Sequence, residues 1–307
     1  MRLAFNCLCF DLAEADSFYH IQTGRVISRL VEVRRLNDPT WVKKIIDYVV
    51  KRQNEDGGYT FAQGAESNSQ DTYYGLSILR LLNTDFPNVG KTKRWLKNID
   101  LDSVYSNYYV TKALLLCDEE PDKSLRERNA SVISMKKYFG SVDVFSEVSS
   151  EFTTTFMALE LADMLGIAFD KDEVTRWLLQ FKNKDGGFGS HKHSNINSTC
   201  YAIASLNLLK WNIRDLRETV TFVRECEKPH GGFTIIPKST TPYMEYTYYG
   251  VMTLDLLGED CRYPAQTIDF VLRCQNANGG FARSDLGIST FENTFQAVSV
   301  LRIINRE

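Results

Sequence analysis

An all-α fold, in which about six inner and six outer helices alternate as helical hairpins and close into a ring, is what this sequence predicts. Three features carry the prediction. A Gly-Gly-aromatic turn recurs at Asp56-Gly57-Gly58-Tyr59, Asp185-Gly186-Gly187-Phe188, His230-Gly231-Gly232-Phe233 and Asn278-Gly279-Gly280-Phe281. The segment ahead of a turn is apolar on one face, whereas the segment after it is apolar almost all round. A polar loop then leads each time to a Thr that opens the apolar run, at Thr72, Thr199, Thr247 and Thr294. The same phase falls on Thr23, Asn107 and Thr154, where the Gly pair is absent or eroded, giving anchor steps of roughly 35 to 49 residues, typical of helical repeats.

Taken in order, Trp41, Ile45 and Val49 form the apolar stripe of a first outer helix. Thr72 then opens TYYGLSILRLL, which has no polar face and is therefore predicted to be enclosed on all sides. The stretch between Asp118 and Ser149 lacks Gly-Gly and is charged early (Asp118, Glu119, Glu120, Asp122, Lys123), with an outer helix expected near Val132 to Tyr138. Further on, Val174, Trp177, Leu178 and Phe181 recur at i, i+3, i+4 and i+7, with Asp172, Glu173 and Arg176 off the stripe. TCYAIASLNLL from Thr199 and TYYGVMTLDLL from Thr247 repeat the enclosed type. Closure follows because an open solenoid would leave one side of the inner layer wet. The glycines supply positive φ at tight turns, and the anchor Thr residues are expected to cap inner helices. The repeat runs from about residue 20 to 305, so residues 1–307 are read as one domain.

Composition excludes some functions. A net charge of -3, from 36 Lys+Arg against 39 Asp+Glu, gives no basic excess for nucleic acid. Seven scattered cysteines, among them the isolated pair Cys7 and Cys9, suggest reduced thiols in a cytoplasmic setting rather than a disulfide framework. The apolar stretch Leu3 to Phe10 is short and runs into Asp11, Glu14 and Asp16 without a cleavage signature. No run approaches the roughly 18 apolar residues of a spanning helix.

Gly-Gly-Phe turns between apolar helices, with Thr-Tyr-Tyr or Thr-Cys-Tyr openings, resemble the prenyltransferase and squalene-cyclase repeat superfamily, and locally the β subunits of protein prenyltransferases. The resemblance implies a closed αα toroid whose central funnel holds an isoprenoid chain. In those β subunits zinc is held by an Asp-x-Cys pair and a His one repeat later. Ser198-Thr199-Cys200-Tyr201 and Tyr246-Thr247-Tyr248-Tyr249 stand at those places, so only Cys200 matches and a zinc site is not expected. The diphosphate-holding Arg and Lys of the family correspond to Lys192 and Asn195. Class II terpene cyclases protonate an alkene with the middle Asp of Asp-x-Asp-Asp-Thr. The matching stretch, Asn68-Ser69-Gln70-Asp71-Thr72, has an amide there and leaves Asp71 as the acid.

The residues themselves supply further candidates. Tyr73, Tyr74, Tyr108, Tyr109, Phe156, Tyr201, Tyr248, Tyr249 and Phe295 all fall close to inner-helix anchors, so they would ring one end of the lumen. Such rings are ordinary core material, and they also suit a prenyl chain and an allylic cation. Helix N-termini gathered at one rim favour an anion, with His191, Lys192 and His193 as the nearest side-chain donors. Glu245 and Glu292 near that rim are candidate bases, and Cys200, Tyr201 and Tyr246 would stand at the reacting end.

The resulting expectation is a prenyltransferase-like enzyme acting on an allylic diphosphate in the lumen without the zinc site, magnesium being compatible with such a substrate. The alternatives are a class II cyclase-like enzyme using Asp71, or a non-catalytic toroid that binds a lipid or a protein. A helical partner subunit, as in protein prenyltransferases, or a homo-oligomer is compatible with either.

Overall fold

The computed structural model describes residues 39–99, 101, 103–135 and 151–306. Among them twelve α-helices alternate between two layers. The outer helices are α1 (Pro39–Val50), α3 (Val89–Asn98), α5 (Lys123–Met135), α7 (Lys171–Leu179), α9 (Arg217–Cys226) and α11 (Pro264–Arg273). The inner ones are α2 (Ser69–Leu81), α4 (Val104–Leu116), α6 (Glu151–Leu165), α8 (Ile196–Leu208), α10 (Met244–Leu257) and α12 (Phe291–Ile304).

Each inner helix packs on the next, and α12 packs back on α2, so the ring is closed. Each outer helix packs on the inner helix that follows it. The layers differ as their sequences require. Val174 and Leu178 of α7 are buried while Lys171, Asp172 and Glu173 are exposed; in α2 buried residues run almost unbroken from Asp71 to Leu79.

The repeated turn is a compact hydrogen-bonded unit. At the first, Asp56 Oδ1 accepts from the Gly58 N–H (2.8 Å) and from Ser67 Oγ (2.8 Å). Gly57 has φ +97°, and a Cβ there would lie 2.5 Å from the Lys91 carbonyl carbon, so a side chain is excluded both by conformation and by the following outer helix. Gly279 has φ +94°, and its Cβ would lie 2.2 Å from the Lys44 carbonyl oxygen. The last turn therefore packs on α1 as each earlier turn packs on its successor, which closes the outer layer. Trp41 edge-stacks on Phe281 (6.1 Å) and Tyr48 on Phe291 (5.5 Å) across the same seam.

Two expectations are corrected here. The anchor Thr residues are not the helix caps. Asn68, Asn195 and Thr290 are the cap residues whose side chains accept from the first turn, and Tyr243 occupies that place in α10. Thr72, Thr199, Thr247 and Thr294 each stand fourth in their helix. Each Oγ1 accepts the N–H of the Gly-Gly-aromatic residue (Tyr59, Phe188, Phe233, Phe281) at 3.0 to 3.1 Å. Each also donates to the carbonyl four residues back, at 2.6 to 2.8 Å. A hydroxyl is selected because it both donates and accepts, tying the turn to the helix it leads into. Asn107 and Thr154 are also fourth in their helices, so the repeat phase read on them agrees with the structure; Thr23 lies outside the described residues.

The second correction concerns α5. It starts at Lys123, well before Val132, because Asp122 Oδ1 accepts the Leu125 N–H (2.8 Å) and Leu125 and Asn129 turn inward. Asp118, Glu119, Glu120 and Asp122 precede it outside the helix, and Lys123 opens its solvated face. Residues 136–138 of the expected helix, and Cys7, Cys9 and the Leu3 to Phe10 stretch, lie outside the described residues.

Candidate functional site

The same helix positions face the axis in five of the six inner helices. Tyr73 and Tyr74, Tyr108 and Tyr109, Cys200 and Tyr201, Tyr248 and Tyr249, and Phe295 and Gln296 stand fifth and sixth in their inner helices and line one central cavity. Phe156 and Met157 of α6 join them, and one turn deeper Lys112, Ala204 and Met252 complete the wall. Residues of equal helix position touch, Tyr74 with Tyr109 (5.6 Å between centroids) and Tyr201 with Tyr249 (5.4 Å) and Phe156 (5.7 Å), and Tyr74 also meets Phe295, one position earlier in its helix (5.2 Å). The inner helices are thus parallel, with all N-termini at one rim.

The cavity is small. Its free volume is about 50 Å³, room for water molecules, whereas sites for drug-sized ligands span roughly 300–1,000 Å³. The phenols fill the space and bond one another: Tyr74 to Tyr109 (3.3 Å) and Tyr201 to Tyr249 (3.2 Å). Burial pushes the hydroxyls of Tyr74, Tyr108, Tyr109, Tyr201 and Tyr249 well above the usual phenol range.

Beneath the rings lies a buried ion pair. Lys112 Nζ donates to Glu160 Oε1 (3.0 Å), Glu160 Oε2 (3.1 Å) and Tyr108 Oη (3.0 Å), and Tyr108 donates to Glu160 Oε2. The ammonium also faces the rings of Tyr73 (5.1 Å) and Tyr108 (4.8 Å). Above the rings, at the rim, sits Glu292. Its carboxylate accepts from Tyr74 Oη (3.5 Å) and Gln296 Nε2 (3.4 Å). Desolvation, helped by the charge of Glu245, pushes its pKa up to about 7, while the Tyr74 bond pulls the other way.

Of the residues singled out in the sequence, the structure brings Tyr73, Tyr74, Tyr108, Tyr109, Phe156, Cys200, Tyr201, Tyr248, Tyr249 and Phe295 to the cavity wall. It places Asp71, Glu245, Tyr246, His191, Lys192 and His193 elsewhere. Asp71 is buried beside the first turn, where its Oδ2 accepts from the Phe61 N–H (3.1 Å) and Asn68 Nδ2 (2.8 Å). Burial raises its pKa, and these two bonds oppose the rise. Glu245 accepts from Arg283 Nε (2.6 Å), and Tyr246 from Arg283 Nη2 (3.3 Å). His191, Lys192 and His193 are exposed, and His191 and Lys192 have left-handed backbones (φ 53° and 64°) in the short turn Ser190–Lys192. Among the described residues, Lys112 is the one cation on the cavity wall.

The donor set does not suit zinc. Ser198 stands two residues before Cys200, where a carboxylate ligand would be needed, and the Tyr246 phenol is bonded to Arg283. Among the described residues no three His, Cys, Asp or Glu side chains cluster as metal ligands, and no helix is long and apolar enough to cross a membrane.

Residues 20–104, 97–241 and 127–307 match the prenyltransferase alpha-alpha toroid domain. The chain belongs to that family. Among solved structures, this toroid is similar to the Candida albicans protein geranylgeranyltransferase-I complexed with GGPP, at 15% identity and a TM-score of 0.65, covering 87% of this chain and 92% of that one. It is also similar to a type II terpene cyclase from Scytonema in complex with geranylgeranyl dihydroxybenzoate, at 12% identity and a TM-score of 0.60, covering 90% and 98%. The same cyclase without ligand aligns at 13% identity and a TM-score of 0.60, over 89% and 97%. No curated protein matches by sequence.

Lys112, Glu160 and Gln296 are wall or floor residues that sequence reasoning passed over. The signal was there: Lys112 is the one charge inside YYVTKALLL, and Glu160 stands inside FMALELADML between apolar neighbours, whereas Asp163 of the same stretch is exposed.

Proposed function

We propose that this toroid acts on an isoprenoid, and that its chemistry is acid–base chemistry by Glu292 on a neutral chain rather than ionisation of an allylic diphosphate. The observation that carries the proposal is Glu292 itself, a carboxyl with pKa about 7 at the mouth of an aromatic-lined lumen. A group half protonated near neutral pH is suited to both donating and accepting a proton. Among the described residues the one wall cation, Lys112, is paired with Glu160, and Arg283 is paired with Glu245, so a diphosphate at the mouth would face Glu292 with helix N-termini rather than a free Lys or Arg of the wall to hold it. That two toroids of like fold hold GGPP and geranylgeranyl dihydroxybenzoate supports an isoprenoid ligand.

Protonated Glu292 would deliver its proton to a chain alkene, and the faces of Tyr74, Tyr109, Tyr248 and Phe295 would stabilise the cation. Loss of a neighbouring proton to the carboxylate would then give an isomerised or cyclised alkene with no net redox change. Entry requires the mouth tyrosines to turn aside, because the resting free space is about 50 Å³. Incubation with farnesol in D2O tests this: deuterium in recovered or rearranged product, absent with Glu292→Gln, is expected, and unlabelled farnesol with no product would contradict it.

A second reading, a toroid without catalysis, is favoured by that same free volume. It predicts that the lumen takes up no isoprenoid at all.

A further inference from the structure

One inner helix departs from the aromatic ring. The sixth residue of the other five is aromatic, at Tyr74, Tyr109, Phe156, Tyr201 and Tyr249, whereas α12 carries Gln296 there. Gln296 lines the cavity and is 2% exposed. A buried amide is costly unless its oxygen and nitrogen are both paired, and here they are. Its Oε1 accepts from Asn293 Nδ2 (3.0 Å), and its Nε2 donates to Glu292 Oε1 (3.4 Å).

The pairing has a direction. Thr290, the cap of α12, donates from Oγ1 to Asn293 Oδ1 (3.1 Å) and accepts the Asn293 N–H (3.0 Å), so the Asn293 amide presents Nδ2 to Gln296. Gln296 then presents Nε2 to Glu292, which lies one turn back on the same helix face. Turned over, its amide would set oxygen against oxygen at Glu292 and nitrogen against nitrogen at Asn293. Tyr74 also donates to Oε1 (3.5 Å), and among the described residues no hydrogen bond reaches Oε2. The other titratable groups near Glu292 are Asp71, Glu245 (paired with Arg283) and the phenols of Tyr105, Tyr109, Tyr201 and Tyr249. They act on it through space, so Gln296 and Tyr74 alone choose between its two oxygens.

We infer that Gln296, oriented by Asn293 and Thr290, is a positioning residue for Glu292: it keeps Oε1 as an acceptor, so that Oε2 carries the exchangeable proton. The inference rests on the acid–base reading of Glu292 above and adds which oxygen donates. It also makes Asn293 a link in series, because the Asn293 side chain is joined by hydrogen bonds to the Glu292 carboxyl through Gln296.

The test is an NMR titration of the full chain labelled with 13Cδ glutamate, the Glu292 signal being assigned by its loss in Glu292→Gln. A donor to the ionised oxygen lowers a carboxyl pKa, so removing the donor raises it. Gln296→Met, which keeps the side-chain volume, is expected to raise the Glu292 pKa by about 0.5 or more. Asn293→Ala is expected to raise it by a smaller amount, and the double variant by no more than Gln296→Met alone, since links in series do not add. Should Gln296→Met not fold, the shift in Asn293→Ala decides. An unmoved pKa in Gln296→Met, or full additivity in the double variant, would overturn the inference and leave the acid–base reading intact. A wild-type pKa at the ordinary 4.5 would overturn that reading and this inference with it.

Discussion

Tyr74 and Glu292, far apart in the chain, meet across the seam of the ring: the Tyr74 hydroxyl donates to Glu292 Oε1 at 3.5 Å. One belongs to α2 and the other to α12, so ring closure itself builds the mouth. The same contact brings an ionisable group to the edge of an aromatic lumen, where desolvation outweighs the hydrogen bond and raises its pKa from 4.5 to about 7.

This relationship has a measurable sign. Because the folded-state pKa lies above the unfolded one, the folded chain binds the Glu292 proton more tightly. The resulting stability is complete below about pH 4.5 and is lost as pH rises through about 7. Urea titrations of wild type and Glu292→Gln at pH 4.5 and pH 8 isolate the term, since other groups cancel in the difference. Wild type is expected to lose on the order of 2 kcal/mol relative to the variant between those values. A difference that does not change with pH would mean that Glu292 is not desolvated.

The threonine clamp makes a second prediction. Thr199→Val leaves the Phe188 N–H without its acceptor in a buried turn and is expected to cost about 2 kcal/mol in denaturant unfolding. Thr199→Ser keeps both bonds and is expected to cost less than half of that. If serine proves as damaging as valine, packing of the methyl group and not the hydroxyl holds the turn.

Closure of the ring can be tested at glycine. Gly279→Ala meets the Lys44 carbonyl oxygen and a positive φ together, whereas Gly64 (φ +83°) has no atom within 4 Å of its Cβ position. Thermal unfolding should show a loss of roughly 3 kcal/mol or more for Gly279→Ala against about 1 kcal/mol for Gly64→Ala. Equal losses would say that the seam between α1 and the last turn gives way freely.

Much of this architecture is legible in the residues, and the limits have physical causes. The Gly-Gly-aromatic turns and the two kinds of apolar segment specify the two helix layers among the described residues and their closure, because each is a local backbone or burial requirement. The ring of aromatics is legible too, since a fixed phase puts the same helix positions on the axis. The Thr role is not, because a hydroxyl beside a helix start reads as a cap until the incoming turn is in place. Nor is the standing of Asp71 or of Lys192. Motif register places both at the rim, but which way a side chain points depends on the loop: Asp71 is drawn to the Phe61 N–H, and Lys192 sits exposed on a left-handed turn. The Lys112–Glu160 pair escapes because its partners lie on separate helices: a charge inside an apolar stretch hints at burial but does not name the residue that will pair with it.

The measurement that bears most directly on the central claim is native mass spectrometry of the full chain with farnesol and, separately, farnesyl diphosphate. The account predicts one farnesol per chain, binding of the diphosphate at least tenfold weaker, and no change in either with Lys192→Ala. A chain that takes up the diphosphate more tightly, with loss of that preference in Lys192→Ala, would contradict neutral-chain chemistry at Glu292, and a chain that takes up neither would show a lumen closed to isoprenoids.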